Sequence, residues 1–217
     1  MKRALLLLTA MALMFSGCAR RKRAATPPPA PRVGMEETGI ASWYGNPYHG
    51  RASASGEIYD MEKLTAAHRT LPFGTVVRVE NLDNEETVDV RVNDRGPFVK
   101  GRIIDLSRAA ARSIHMLGPG TAKVRLRILE LPAADPAAYY AVQAGAFRDR
   151  DNAERLRKKM ESEYGSARLQ MRDGNPPLWR VLVGRESTEE GAGALAGRVE
   201  AELGDAFVVR VDPPAAH

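Results

Sequence analysis

The sequence predicts a two-domain chain, mainly β first and α+β second, on three observations. Residues Gly39 to Glu130 carry short runs of strict apolar–polar alternation and little helical periodicity. From Tyr139 onward the segments run β-α-β-β-α-β, the order of a small ferredoxin-like split unit. Between the two lies Leu131 to Pro136, a Pro- and Ala-rich break.

In the first block, Ile40 to Tyr44 reads as a strand. Thr75 to Val79 and Thr87 to Asn93 are two more, joined across the turn-rich Asn81 to Glu85. Lys123 to Ile128 alternates strictly, with Val124, Leu126 and Ile128 inward. One short helix is predicted from Ser107 to His115, with Ser107 as its cap and Ala109, Ala110 and Ala111 in its body. Short strands with few helices argue for a small closed barrel, which leaves no sheet edge exposed. In the second block, Tyr139 to Gln143 is a strand. A helix follows from Asp149 to Tyr164, with Ala153, Leu156, Met160 and Tyr164 at helical spacing. Strands at Ala167 to Arg172 and Trp179 to Val183 flank the turn Asp173 to Pro177. Ser187 to Glu190 reads as a capping box that opens a second helix. Ala206 to Val211 closes the set.

The N-terminus bears on compartment. Met1, Lys2 and Arg3 form a short basic region, and Ala4 to Phe15 is an apolar run too short to span a bilayer. It runs into Ser16-Gly17-Cys18, and small residues before a cysteine resemble a bacterial lipobox, with Phe15 where Leu is usual. The resemblance implies that residues 1–17 are a signal peptide and that Cys18 is acylated. Each buried CH₂ is worth about 0.8 kcal/mol, so several acyl chains make a firm lipid anchor. Ala19 rather than Asp follows, which resembles sorting to the outer membrane of a Gram-negative cell, facing the periplasm. Cys18 is the only cysteine, which excludes a disulfide within the chain.

The formal net charge is +5 and the pI about 9.5, values that raise the question of nucleic acid. The positions of the charges answer it. Removing Lys2 and Arg3 leaves +3, Arg20 to Arg23 hold four positives, and Arg32 against Glu36 and Glu37 nets minus one. The chain from Thr38 onward is therefore neutral. The basicity lies in a tether beside the membrane, and a nucleic-acid partner is dropped. Residues 18–38 form that lipidated, Pro-rich linker, too poor in apolar side chains to fold. The expected domains are 39–131 and 139–213, with 132–138 as a connection.

Val92 to Phe98, VNDRGPF, ends the alternation of Val88, Val90 and Val92 with two charged residues and then breaks it with Gly96-Pro97. Charged side chains at a sheet mouth make a site or a solvated turn, and the stretch alone favours the turn. It has company, however. Gly39–Gly45 (GIASWYG), Ala54–Glu57 (ASGE), Thr65–His68 (TAAH), Leu71–Gly74 (LPFG), VNDRGPF and Ile104–Ser107 (IDLS) together resemble, in order and spacing, the double-psi β-barrel of the rare lipoprotein A (RlpA) family. Tyr140–Phe147 (YAVQAGAF) and Trp179–Gly184 (WRVLVG) resemble a SPOR domain.

The resemblance implies an endolytic peptidoglycan lytic transglycosylase at the division septum, brought there by a SPOR domain that binds glycan stripped of its stem peptides. Such an enzyme needs a carboxylic acid at the glycosidic oxygen and help for an oxocarbenium-like transition state. It uses the sugar's own 6-hydroxyl as nucleophile and leaves 1,6-anhydro-N-acetylmuramic acid ends. On the family motif Asp94 falls on the general acid/base, Glu57 on a second carboxylate and His68 on a histidine near them. Asp105 resembles a structural cap for the helix that follows. Arg95 either steers a polar substrate or pairs with a neighbouring acid.

Tyr44 and Trp43 are candidates to stack on a sugar, although alternation sends one of them inward. Gln143, Trp179 and Arg180 are the expected glycan contacts of the second domain, with Ala146 where the family often has a polar residue. His49, His115 and His217 are scattered, so no metal and no cofactor is expected. The sequence identifies no protein partner. A non-catalytic, expansin-like peptidoglycan binder is the alternative. Plain hydrolysis would need a second carboxylate about 6.5–9.5 Å away for an inverting attack.

Overall fold

The computed structural model describes residues 30–172 and 177–213. The leader 1–17, Cys18, the linker through residue 29, turn residues 173–176 and His217 lie outside the described residues. The first domain is a closed six-stranded barrel of β1 (Glu36–Tyr44), β2 (Thr65–His68), β3 (Val76–Asn81), β4 (Thr87–Asp94), β5 (Arg102–Ser107) and β6 (Thr121–Glu130). Around the barrel the strands run β1-β5-β2-β4-β3-β6 and close back onto β1. The pairs β1–β5 and β2–β4 are parallel and the others antiparallel.

Alternation fills the interior as expected. In β6 Ala122, Val124, Leu126 and Ile128 point in, and in β4 Val88, Val90 and Val92 do so. Each such Val, Leu or Ile side chain contributes about 1.5–3 kcal/mol by leaving water. The helix α1 (Arg108–Ser113) plugs one end with Ala110 and Ala111, and Ile114 and Met116 follow it into the core. Ser107 caps it by accepting the Ala110 N–H.

The linker ends earlier than the sequence suggests. Glu36, Glu37 and Thr38 already pair with Arg127, Leu126 and Arg125 of β6. Backbone ladders form whatever the side chains are, so hydrophobic patterning alone missed these three residues. Strands β2 and β5 were also missed as elements, because short apolar runs between loops carry no alternation.

The second domain has β7 (Tyr139–Phe147), α2 (Arg150–Tyr164), β8 (Ala167–Arg172), β9 (Leu178–Glu186), α3 (Glu189–Leu203) and β10 (Phe207–Val211). Its antiparallel sheet runs β10-β7-β9-β8, the order of a βαββαβ split unit. Asp149 caps α2 by accepting the Asn152 N–H. Thr188, not Ser187, caps α3, one residue later than the box implied, because its hydroxyl is the one that reaches the Gly191 N–H.

One face of this sheet takes both helices, burying Val142, Val181 and Val183 against Met160, Leu195 and Val199. The centre of the other face is covered as well. Ala141, Leu182 and Val209 pack there against Phe98 of the barrel. The edge strand β10 is tied to the barrel by the Arg210 N–H to the Arg69 carbonyl, 3.0 Å. A barrel mouth and a sheet face therefore cover one another, and the site lies between them.

Candidate active site

Asp94 ends β4, where alternation stops and Asn93, Asp94 and Arg95 are buried in succession. A register shift in β2 at Ala66/Ala67 brings Ala67 opposite Asp94, and such bulges re-aim side chains. On the other side of β2, Ala67 pairs with Asp105 of β5. Two aspartates thus flank one alanine across three strands, about 10 Å apart at the backbone. Gly96, at φ 154°, turns over them, and a side chain there would meet the Asp105 carboxylate at 3.6 Å.

The Asp94 side chain is 3% exposed. Its Oδ1 accepts the N–H groups of Ala54 (2.9 Å) and Arg95 (2.8 Å). Its Oδ2 accepts Arg172 Nη2 of the second domain at 2.6 Å. Asp105 accepts the Ser42 hydroxyl, to which Arg102 Nη1 also donates at 3.1 Å. Burial pushes the Asp105 carboxyl above the usual aspartate range and the charge of Asp94 adds to this, against the Ser42 bond and Arg102.

Both aspartates line a cleft of about 280 Å³ walled by Tyr44, Tyr48 and Phe98 on the barrel side and by Gln143, Arg172 and Arg180 on the sheet side. Tyr44 stacks on Tyr59 with centroids 4.4 Å apart, and burial raises its phenol well above the ordinary range, with Asp94 second. The Tyr44 hydroxyl and Gln143 Oε1 are buried and find no hydrogen-bond partner among the described residues. Such orphans are uncommon and mark a place for a polar ligand. The arrangement can hold a sugar against a pair of carboxyls.

The other expected residues take different places. Glu57 is not among the residues lining the cleft; it is about half-exposed, and both its carboxylate oxygens accept Arg91, at 2.7 and 2.8 Å. That bond chiefly, helped by Asn93, holds it below the usual glutamate range. It is an ionised carboxylate and not a proton donor. His68 lines a second cavity, of about 460 Å³, with Glu37, Arg69 and Glu189. There Nδ1 accepts the N–H groups of Thr70 and Leu71, and Nε2 meets Glu37 Oε2 at 3.2 Å.

Arg95 borders the cleft, but its guanidinium is committed to Asp212, to the carbonyls of Arg210 and His68 and to the face of Phe73. The pairing alternative, and not substrate steering, describes it. Trp179 lies on the helix side of the sheet, opposite in direction to Arg180, with Arg150 over its ring at 5.1 Å. Strand alternation explains this, since only one of two successive residues can face the cleft. Trp43 packs on the barrel core and Tyr44 in the cleft.

Sequence reasoning missed Asp105 as a cleft residue, and Arg172 and Tyr48 altogether. The signal for Asp105 was present: it is a charged residue set among the buried Ile103, Ile104 and Leu106 of β5, where apolar residues are the rule. Arg172 carried no local signal, because its partner is 78 residues away.

A barrel with two carboxyls at its mouth, joined to a split βαββαβ unit, defines a class of two-domain proteins, and comparison with known proteins narrows it. Residues 36–126 match the family model described as a lytic transglycolase double-psi barrel, and residues 136–210 match the SPOR domain. An endolytic peptidoglycan transglycosylase RlpA of Helicobacter pylori is 40% identical over 190 residues, 73% of this chain and 60% of that one. Its namesake in Campylobacter jejuni is 56% identical over 97 residues, 45% of this chain and 35% of that one. Among solved structures, the Streptomyces papain inhibitor overlaps 45% of the chain and 97% of its own at TM-score 0.39 and 25% identity, too slight a likeness to add weight. The chain belongs to the RlpA family. It spans less than two thirds of the length of these relatives.

Proposed function

We propose that the protein is an endolytic lytic transglycosylase of peptidoglycan, a lyase that cuts glycan strands freed of stem peptides. The observation that carries this reading is the cleft in which Asp94 and Asp105 face a glycan-binding type of sheet. Asp94 is the general acid/base on the family motif, and Asp105, held up by burial, is the carboxyl that keeps a proton available beside it. In the forward step the acid gives its proton to the glycosidic oxygen and the C1–O bond breaks. The resulting carboxylate then takes the proton of the 6-hydroxyl, whose oxygen closes on C1. The products are an anhydro end and a free hydroxyl, with no water consumed. Glu57 is the second carboxylate of the family motif, held ionised by its pair with Arg91. His68 acts at most through the fold around it. Tyr44, Gln143 and Arg180 supply the contacts to hydroxyls and substituents of the sugar.

The relatives' names and the SPOR domain support a wall-directed role at the septum in the periplasm. Acylation at Cys18 and an outer-membrane anchor rest on the lipobox alone. One observation favours the alternative of a glycan binder without cleavage: both carboxylate oxygens of Asp94 already accept hydrogen bonds. Digestion of amidase-stripped peptidoglycan, read by mass spectrometry, separates the readings. Anhydro-muramic ends that vanish in Asp94→Asn and fall in Asp105→Asn and Glu57→Gln establish the lyase. Reducing ends mean hydrolysis, and intact glycan retained by the protein means a binder.

A further inference from the structure

The segment that carries the candidate acid is also the surface on which the second domain sits. Asp94 Oδ2 accepts Arg172 Nη2 at 2.6 Å. Next in the chain, Arg95 pairs with Asp212 and donates from Nε to the Arg210 carbonyl at 3.0 Å. Phe98 lies under Ala141, Leu182 and Val209, with the Arg180 guanidinium 4.8 Å from its ring centroid. One turn of the barrel thus bears both the acid and the dock, so the sheet cannot sit down without covering Asp94.

The two oxygens of that acid are held differently. Oδ1 is engaged from within the barrel, by the backbone N–H groups of Ala54 and Arg95, and keeps those bonds wherever the barrel goes. Among the described residues Oδ2 is engaged from the second domain alone, which leaves it as the oxygen for substrate. A carboxyl oxygen that accepts from a guanidinium cannot at the same moment offer an O–H to a glycosidic oxygen. The space is short as well. A glycosidic bond has a sugar on either side, whereas the cleft of about 280 Å³ falls below the ~300–1,000 Å³ of sites that take a single small ligand. The docked form therefore holds the acid but does not admit its substrate.

Resting on the reading above, we infer that the docked second domain is an autoinhibitor of the barrel: Arg172 occupies Asp94 in the place of substrate, and the chain cuts only after the sheet has lifted off the barrel mouth. The junction is suited to parting. Most of its ties are polar, among them Arg172–Asp94, Arg95–Asp212, the Arg210 N–H on the Arg69 carbonyl and the exposed Lys100–Glu200 pair, and polar contacts between domains of one chain behave as transient interfaces do. A strand that reaches the mouth only in the parted form draws the domains apart by its own affinity. Closure then acts as a tax on binding: it raises the apparent KM in proportion to the fraction shut and leaves kcat to the parted form. The full chain is held idle until glycan is present at sufficient concentration.

The test reads the docked state and the cutting rate separately on the full chain. Lys100 of the barrel and Glu200 of α3 are exposed, with Nζ and Oε1 2.7 Å apart, so a carbodiimide joins them directly as an amide. The yield of that cross-linked peptide by mass spectrometry reports the docked fraction. Wild type is expected to cross-link at rest and to lose the cross-link as amidase-stripped glycan is added. Arg172→Gln and Asp212→Ala should cross-link less and cut with kcat/KM raised about fivefold or more, through KM, as for one lost hydrogen bond to a charged group. Residues that only support the fold would lower the rate instead. A wild type that does not cross-link, variants that open yet cut no faster, or bound glycan that leaves the cross-link unchanged overturns the autoinhibitor. If no chain cleaves, the lyase falls alone, and loss of the cross-link on glycan binding decides the inference. If glycan is neither bound nor cut, both fall together.

Discussion

At the scale of residues, Asp105 is a carboxyl that folding makes harder to ionise. Its pKa is raised in the folded state, so between the ordinary aspartate value and the raised one the native protein binds more protons than the unfolded chain. Stability therefore falls as pH rises through that window. Asp105→Asn keeps an acceptor for Ser42 and removes the charge, so denaturant titrations from acid to neutral pH should show a flatter profile and a more stable variant at neutrality. Glu57→Gln breaks an exposed pair with Arg91 and should change stability by less than about 1 kcal/mol, so any loss of cleavage would be chemical. Asp94 was legible in the sequence through the family motif, since the alternating strand and the glycine–proline break around it favoured a solvated turn by themselves. Asp105 was not: it stands two residues before a helix, which reads as a cap, and the strand partners that place it in the cleft lie far off in sequence.

At the scale of elements, two contacts fix how secondary structure is held. Ser107 caps α1 and also donates to the Lys63 carbonyl at 2.6 Å while fully buried. Ser107→Ala should cost about 1–2 kcal/mol in urea unfolding, at the upper end for a cap. Gly184 in β9 adopts φ 76°, and a side chain there would run into Leu195 of α3. Gly184→Ala should lower stability by about 1–3 kcal/mol through overpacking, seen as a fall in Tm. The helices and the alternating strands were readable because each carries its own period. Strand β2 is too short to carry one, β5 breaks it with the adjacent Ile103 and Ile104, and the start of β1 is polar. Trp179 was misdirected by the same rule that located its strand, since the sheet's two faces swap with every residue.

At the scale of the whole molecule, the sheet of the second domain is covered on both faces, by its helices and by the barrel. Arg95 and Asp212 form the buried pair at that junction, where burial, opposed by Asp212, presses the guanidinium down to about 10. Asp212→Ala leaves a buried cation and should weaken the docking of the domains by about 3–5 kcal/mol, visible as a larger radius of gyration by X-ray scattering and as two thermal transitions in place of one. The sequence hinted at this contact in the apolar Ala141, Leu182 and Val209 on the face away from the helices, but nothing local names what covers them. The only covalent joint between the two bodies in the described chain is the short stretch 132–138. A tether of that length holds its ends at an effective concentration on the order of millimolar, so even a weak interface stays shut and yet can part. Jaws hinged on one side admit a rope from the side. A polymer gripped in this way can be seized anywhere along its length, with no free end to thread, as the mid-strand cutting proposed above requires.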